Sequence, residues 1–172
     1  MSQDKTVIIG VDPGLTGAIA FEYNNGVIVQ PLPINKMKVG KKVRSEIDVI
    51  DVCASIKAID SEEYTLIAYI EKVHAMPGQG VTSMFNFGKG YGEIRATLKL
   101  TMDRVVDVEP RTWQKYLFGT GKHEKAASIA LAKELYPNID LRRTPRCTSD
   151  SDGMAEAVLI AHYGTLIERG EK

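Results

Sequence analysis

The strongest constraint on this chain is the run Thr-Val-Ile-Ile-Gly-Val-Asp at residues 6–12, closed by Pro13-Gly14. It is apolar and β-branched and ends at a turn signal, so it reads as a buried strand with an acid, Asp12, at its mouth. GAIAFEY and GVIVQPL follow, separated by the turn-forming Asn24-Asn25-Gly26, and the three segments predict a meander. In EIDVIDVCASIKAI, residues Val49, Val52, Cys53, Ile56 and Ile59 recur at helical spacing. The apolar stretch TLIAYIEKV then predicts a second buried strand, with Glu71 near its end.

Beyond the Gly- and Pro-rich segment HAMPGQGVTS, the pattern predicts a helix from about Ser83 to Leu100. It carries Gly88, Gly90 and Gly92, each costing roughly 1 kcal/mol relative to alanine, so close backbone packing or a break is expected there. The strand DRVVDVEP, the helical segments PRTWQKYLF and HEKAASIALAKELYP, a polar Arg-rich loop and the helix DGMAEAVLIAHYGTLIE complete the chain. There is no internal repeat or low-complexity tract, so residues 1–172 read as a single domain. A meander followed by strands alternating with helices gives an α/β fold: a mixed five-stranded sheet, three antiparallel strands then two parallel, with helices on both faces. That order suits a ribonuclease-H-like fold, in which the ends of the first and fourth strands lie side by side. Asp12 and Glu71 would then meet.

Composition narrows the function classes. At 172 residues and 44% hydrophobic content the chain can bury one core, and no apolar run is long enough to cross a bilayer. No export signal is recognisable, so a soluble, intracellular protein of cytoplasm or nucleoid is expected. Cys53 and Cys147 lack any CxxC spacing and read as free thiols. Basic and acidic residues both number 22, so net charge names no partner. Their distribution does more: Lys36, Lys38, Lys41, Lys42 and Arg44 crowd one predicted loop, and Arg142, Arg143 and Arg146 another. Either cluster alone reads as solvated surface; the two together point to a polyanion.

The acids carry the chemistry. Taken alone, Asp12 before Pro-Gly reads as a turn cap, and Glu71 as a strand-end charge reaching solvent. Asp152 and Glu156, four apart on the last helix, share one face. Glu156 stands between Ala155 and Ala157 in a nearly all-apolar helix, where a charge is costly unless paired or bound to metal. Asp152 also suits the helix dipole, and Asp150 suits the N-cap. Four such carboxylates without a comparable His or Cys arrangement suit hard cations: Mg2+ first, Mn2+ second, as a pair about 4 Å apart.

Three segments, GVDPGLTGAIA at 10–20, IEKVHAMPGQG at 70–80 and DGMAEAVLIAHYG at 152–164, resemble in order and spacing the three acidic motifs of RuvC-type Holliday junction resolvases. The resemblance spans nearly the whole chain. It implies a ribonuclease-H-like fold, a homodimer, and paired symmetric nicks in a four-way DNA junction by two-metal hydrolysis. Asp12, Glu71, Asp152 and Glu156 match the family's acidic quartet, as both catalytic and metal-binding residues. Many members end with two aspartates three apart, whereas here the spacing is four and the last acid is Glu, so Asp150 stands as an alternative to Asp152. RTWQKYLFGTGKHEKAAS resembles the segment whose two lysines contact the scissile phosphate, matching Lys115 and Lys125, with Lys122 nearby. His74 occupies the position where several members carry an aromatic wedge, leaving Phe85 and Phe87 for base stacking or for a dimer interface. The DNA-binding set expected is therefore Lys36, Lys38, Lys41, Lys42, Arg44, His74, Lys115, Lys122 and Lys125. Three rivals remain at this level: a broader branched-DNA nuclease, a non-catalytic branched-DNA module, and an actin-like phosphotransferase built on the Asp-Pro-Gly turn. The last lacks a second phosphate-binding turn and the length for two lobes.

Overall fold

The computed structural model describes residues 5–23, 26–59, 63–75, 78–121 and 124–171. The run that opens the sequence forms β1 (Thr6–Asp12), flanked by antiparallel β2 (Ala18–Tyr23) and, beyond it, β3 (Gly26–Pro31). On its other side lie β6 (Thr65–Glu71) and then β7 (Arg104–Val108), both parallel. The sheet order β3-β2-β1-β6-β7 is the expected mixed five-stranded arrangement.

The strand period of two divides the core. Val7, Ile9, Val11, Ile19, Phe21, Ala68 and Ile70 point to one face, where they meet Val52 and Ile56 of α1 (Val49–Lys57) and Ile94 and Leu98 of α2 (Val81–Thr101). Ile8, Ala18, Ala20, Ile67 and Tyr69 point to the other, against α5 (Asp152–Glu168). Outside α5 lie Trp113 of α3 (Pro110–Phe118) and Ala132 of α4 (Lys125–Leu135). Sandwiched in this way, α5 is buried from Gly153 to Thr165 except at Glu156 and His162. A helix apolar all round needs such a position.

The contact between α5 and β1 is a backbone contact. A Cβ on Gly10 would lie 2.1 Å from the Ala157 carbonyl oxygen and 2.3 Å from the Ala161 nitrogen. A Cβ on Gly164 would meet the Tyr69 ring at 2.6 Å, and one on Gly153 would meet the Thr16 carbonyl oxygen at 2.6 Å. The helix therefore sits as low on the sheet as three glycines permit.

Three expectations change. Residues 36 to 44 do not form a loop: they belong to a two-stranded hairpin, β4 (Ile34–Val39) and β5 (Lys42–Ile47), closed by Gly40 at φ 61 and Lys41. Its lysines mask the alternation of Met37, Val39 and Val43, and a first-position glycine suits so tight a turn. The glycines of α2 cause no break, and close packing is confined to one of them: α2 is continuous, a Cβ on Gly90 would stand 3.4 Å from Ile47 Cδ1, and among the described residues a Cβ on Gly88 or Gly92 would meet nothing within 4 Å. The N-cap of α5 is Ser151, whose hydroxyl accepts from the Met154 N–H at 3.4 Å, rather than Asp150.

Gly10→Ala is expected to destabilise the protein by about 3 kcal/mol or more, since neither contacted backbone atom can yield without lifting α5. Urea denaturation followed by circular dichroism measures it. A wild-type midpoint would show that α5 does not rest on β1.

Candidate active site

Val11 and Ile70 are register partners, so Asp12 and Glu71 occupy the next positions on adjacent parallel strands. By strand alternation both lie on the α5 face, with Gly10 and Tyr69. The Gly153 contact brings the first turn of α5 onto the same edge: a Cβ there would stand 2.9 Å from Asp12 Oδ2. One helical turn on from Asp152, Glu156 faces the same place.

The electrostatics show the convergence. Burial first, then the charges of Glu156, Glu71 and Asp152, push the Asp12 carboxyl up to about 7. Burial, then Glu71 and Asp152, likewise raise Glu156 to about 7. Burial raises Glu71, opposed by a hydrogen bond from Trp113 Nε1 to its Oε2 at 2.8 Å. Asp152 goes the other way because the Lys125 ammonium donates to it and holds it below its usual range.

Two outer acids thus have protein partners, while the two inner ones resist ionisation through burial and mutual repulsion. Among the described residues no three His, Cys, Asp or Glu side chains already stand grouped as a metal cage. The donor set nevertheless fits a hard divalent cation: it is all oxygen, its inner pair gains most from added positive charge, and a lysine already supplies one such charge at its rim.

The structure sorts the other sequence candidates. Lys125 reaches the acidic cluster through Asp152. Lys115 is exposed on α3 and makes no ion pair among the described residues; Lys122 lies outside them. His74 pairs with Glu109 at 2.7 Å, beside Lys72, which holds the same carboxylate at 2.8 Å. Lys36, Lys38, Lys41, Lys42 and Arg44 are all exposed on the hairpin. Asp150 turns away from the cluster to Lys133. The arginine cluster is partly consumed: Arg142 binds Asp140 at 2.8 Å, and Arg143 donates to the Leu15, Thr16 and Gly17 carbonyls, clamping the turn after Asp12. Sequence reasoning missed Trp113 and the three seating glycines. Gly10 carried a signal, since an isolated glycine in a β-branched run suggests close backbone approach.

This sheet order, with a buried helix crossing the α5 face at the acidic edge, defines a ribonuclease-H-like fold. No family model matches the chain, and no curated protein matches it in sequence. Solved structures do match. The Thermus thermophilus RuvC structure aligns with a TM-score of 0.54 at 15% identity, covering 95% of this chain and 96% of that one. T. thermophilus RuvC in complex with Holliday junction substrate aligns with a TM-score of 0.57 at 10% identity and the same coverage. The fold is of the RuvC type.

The raised acids set a pH dependence. An acid whose folded pKa exceeds its unfolded value contributes stability that is complete below the unfolded pKa and is lost as pH rises through the folded one. For Asp12 and Glu156 the window runs from about 4 to about 7. In chelator, the Tm should therefore fall between about pH 4 and about pH 7, by several degrees for each kcal/mol or two lost. Asp12→Asn should flatten this slope. A chelated wild type with a level Tm across the window would show that the acids do not crowd one another.

Proposed function

We propose that this protein is a structure-specific endonuclease that resolves four-way DNA junctions by paired nicks, with divalent cations held by Asp12, Glu71, Asp152 and Glu156. The observation that carries the reading is the convergence of two strand-end acids with the first turns of α5, at the acidic edge of a RuvC-type fold. One of the solved structures of this fold is a complex with Holliday junction substrate. Asp152 is preferred to Asp150 as the third ligand because Asp150 is paired elsewhere.

Mg2+, or Mn2+ in its place, would polarise the phosphodiester and activate the attacking water when bound. The chain's own residues divide the remaining work. Asp12 is the central acid, between the α5 pair and Glu71. Trp113, fully buried, fixes Glu71 by its indole N–H. Glu156 orients the attacking water, and Lys125, largely exposed beside Asp152, meets the phosphate that enters. Lys36, Lys38, Lys41, Lys42 and Arg44 on the hairpin, with His74, Lys115 and Lys122, hold the backbone and give binding its salt dependence.

A homodimer is part of the proposal, and α2 offers a surface that supports it. Val81, Phe85, Gly88 and Gly92 recur at helical spacing on one stripe, with Val81 86% and Phe85 72% exposed and open space above both glycines. A second copy laid on this stripe covers the phenyl rings and approaches the glycine backbone closely, and an isologous pair matches the two-fold symmetry of a junction. Phe85→Asp is expected to yield a folded monomer by sedimentation velocity. A dimer of undiminished affinity would remove this stripe from the interface.

The function is tested by incubating four-way, three-way and flap DNA with and without Mg2+. Symmetric nicking of four-way junctions is expected, with Asp12→Asn reducing cleavage at least about 1,000-fold while retaining binding. Equal cleavage of all substrates would make the protein a general branched-DNA nuclease, and binding without cleavage in Mg2+ or Mn2+ a non-catalytic module.

A further inference from the structure

The arginines before α5 are not equivalent. A guanidinium carries five N–H donors in one plane. Arg142 turns its Nε and Nη2 edge to Asp140, at 2.9 and 2.8 Å, as Arg95 does to Asp107, at 2.7 and 2.5 Å. Arg143 uses the other end: Nη1 donates to the Thr16 carbonyl and, at 3.2 Å, to the Gly17 carbonyl, while Nη2 donates to the Leu15 carbonyl at 3.4 Å. Its Nε and the second N–H of Nη2 have no acceptor among the described residues, and it makes no ion pair there. A half-buried cation held only by neutral carbonyls keeps its charge uncompensated. The edge left over is the one with which Arg142 and Arg95 grip two oxygens of an anion.

The clamp ends beside the acids. The Thr16 carbonyl oxygen stands 2.6 Å from the Cβ position of Gly153, and Asp12 Oδ2 stands 2.9 Å from the same position. The turn is tightly closed: the Gly17 N–H returns to the Gly14 carbonyl at 2.9 Å, and the Gly17 carbonyl also accepts from the Leu32 N–H at 3.1 Å. Three contacts to such a turn fix the guanidinium relative to Asp12.

We infer that Arg143 binds a backbone phosphate of the strand being cut, close to the scissile one, with its Nε–Nη2 edge as a bidentate donor. The inference rests on the nuclease reading above. A phosphodiester presents two non-bridging oxygens, so the fork that fits a carboxylate in Arg142 fits it too. The contact sets register: a phosphate seated on a guanidinium that is tied to the Asp12 turn brings a neighbouring linkage to the acids. Because it touches phosphate and no base, it is indifferent to sequence.

The experiment scans single methylphosphonate linkages, which remove one phosphate charge at a time, along the cut strand of a four-way junction. Wild type, Arg143→Ala, Arg143→Lys and Arg142→Ala are compared, with binding measured in chelator and cleavage in Mg2+. At one linkage near the scissile one, wild type should lose about 10- to 100-fold, the range of a hydrogen-bonded contact to a charged group. Arg143→Ala should show that loss on unmodified DNA and no further loss at that linkage. Arg143→Lys, which keeps the charge without the fork, should be less sensitive there than wild type. Arg142→Ala, whose fork is held by Asp140, should match wild type throughout. No sensitive linkage near the cut, or an Arg143→Ala loss that multiplies with the modification at every linkage, would overturn the contact and leave Arg143 a clamp on the turn. Should urea denaturation show Arg143→Ala unfolded, Arg143→Lys decides, and undiminished sensitivity in it overturns the contact. Wild type that binds junctions but cuts nothing would refute the nuclease reading while the binding arm still decides the contact.

Discussion

The seating of α5 on β1 is the contact on which the rest depends. Gly10 gives up its side chain so that the carbonyl of Ala157 and the backbone of Ala161 can lie against the strand. With the helix at that height, Gly153 comes down on Thr16 and the Asp12 carboxylate, so Asp152 and Glu156 arrive beside acids delivered by β1 and β6. Any side chain at these glycines would separate the two halves of the site before altering a single carboxylate. The site is assembled by packing, and its chemistry follows from how closely the packing brings like charges together.

Burial of these acids, and then their closeness to one another, is destabilising. Moving Asp12 from 3.8 to about 7 corresponds to on the order of 4 kcal/mol at alkaline pH, a large part of the 5–15 kcal/mol that a domain typically has. The apolar remainder of α5 offsets it: Met154, Leu159 and Ile160 are fully buried, each worth roughly 1.5–3 kcal/mol. Trp113 and Lys125 stabilise the two outer acids directly, so the strain falls on the inner pair, Asp12 and Glu156. Those are the positions where a cation relieves most.

Much of this was legible in the sequence because the relevant signals are local. A β-branched run ending in Asp12 and another ending in Glu71 declare buried strands with acids at their mouths. The last helix announces its own burial by being apolar all round except where Glu156 interrupts it. What escaped the sequence is what depends on distant partners. Nothing near Trp113 says that its indole will reach Glu71, 42 positions away. The choice between Asp150 and Asp152 turns on Lys133 and Lys125, which lie on another helix. The hairpin was hidden for a different reason: five basic residues outweigh three alternating apolar ones in any reading by polarity, yet strand pairing needs only the turn and the register.

The glycines of α2 join these levels. Gly90 packs on Ile47, but among the described residues no atom approaches the Cβ positions of Gly88 or Gly92, and each of these two lowers helix stability by roughly 1 kcal/mol. A helix that bears such costs on an exposed stripe carries a feature that its own core does not require. On the proposed reading, that stripe meets a second copy. The same rigid rod would then fix the distance between the two active sites. Symmetry of cutting would follow from that geometry, because each site would be held at a fixed distance from its symmetry mate across the stripe.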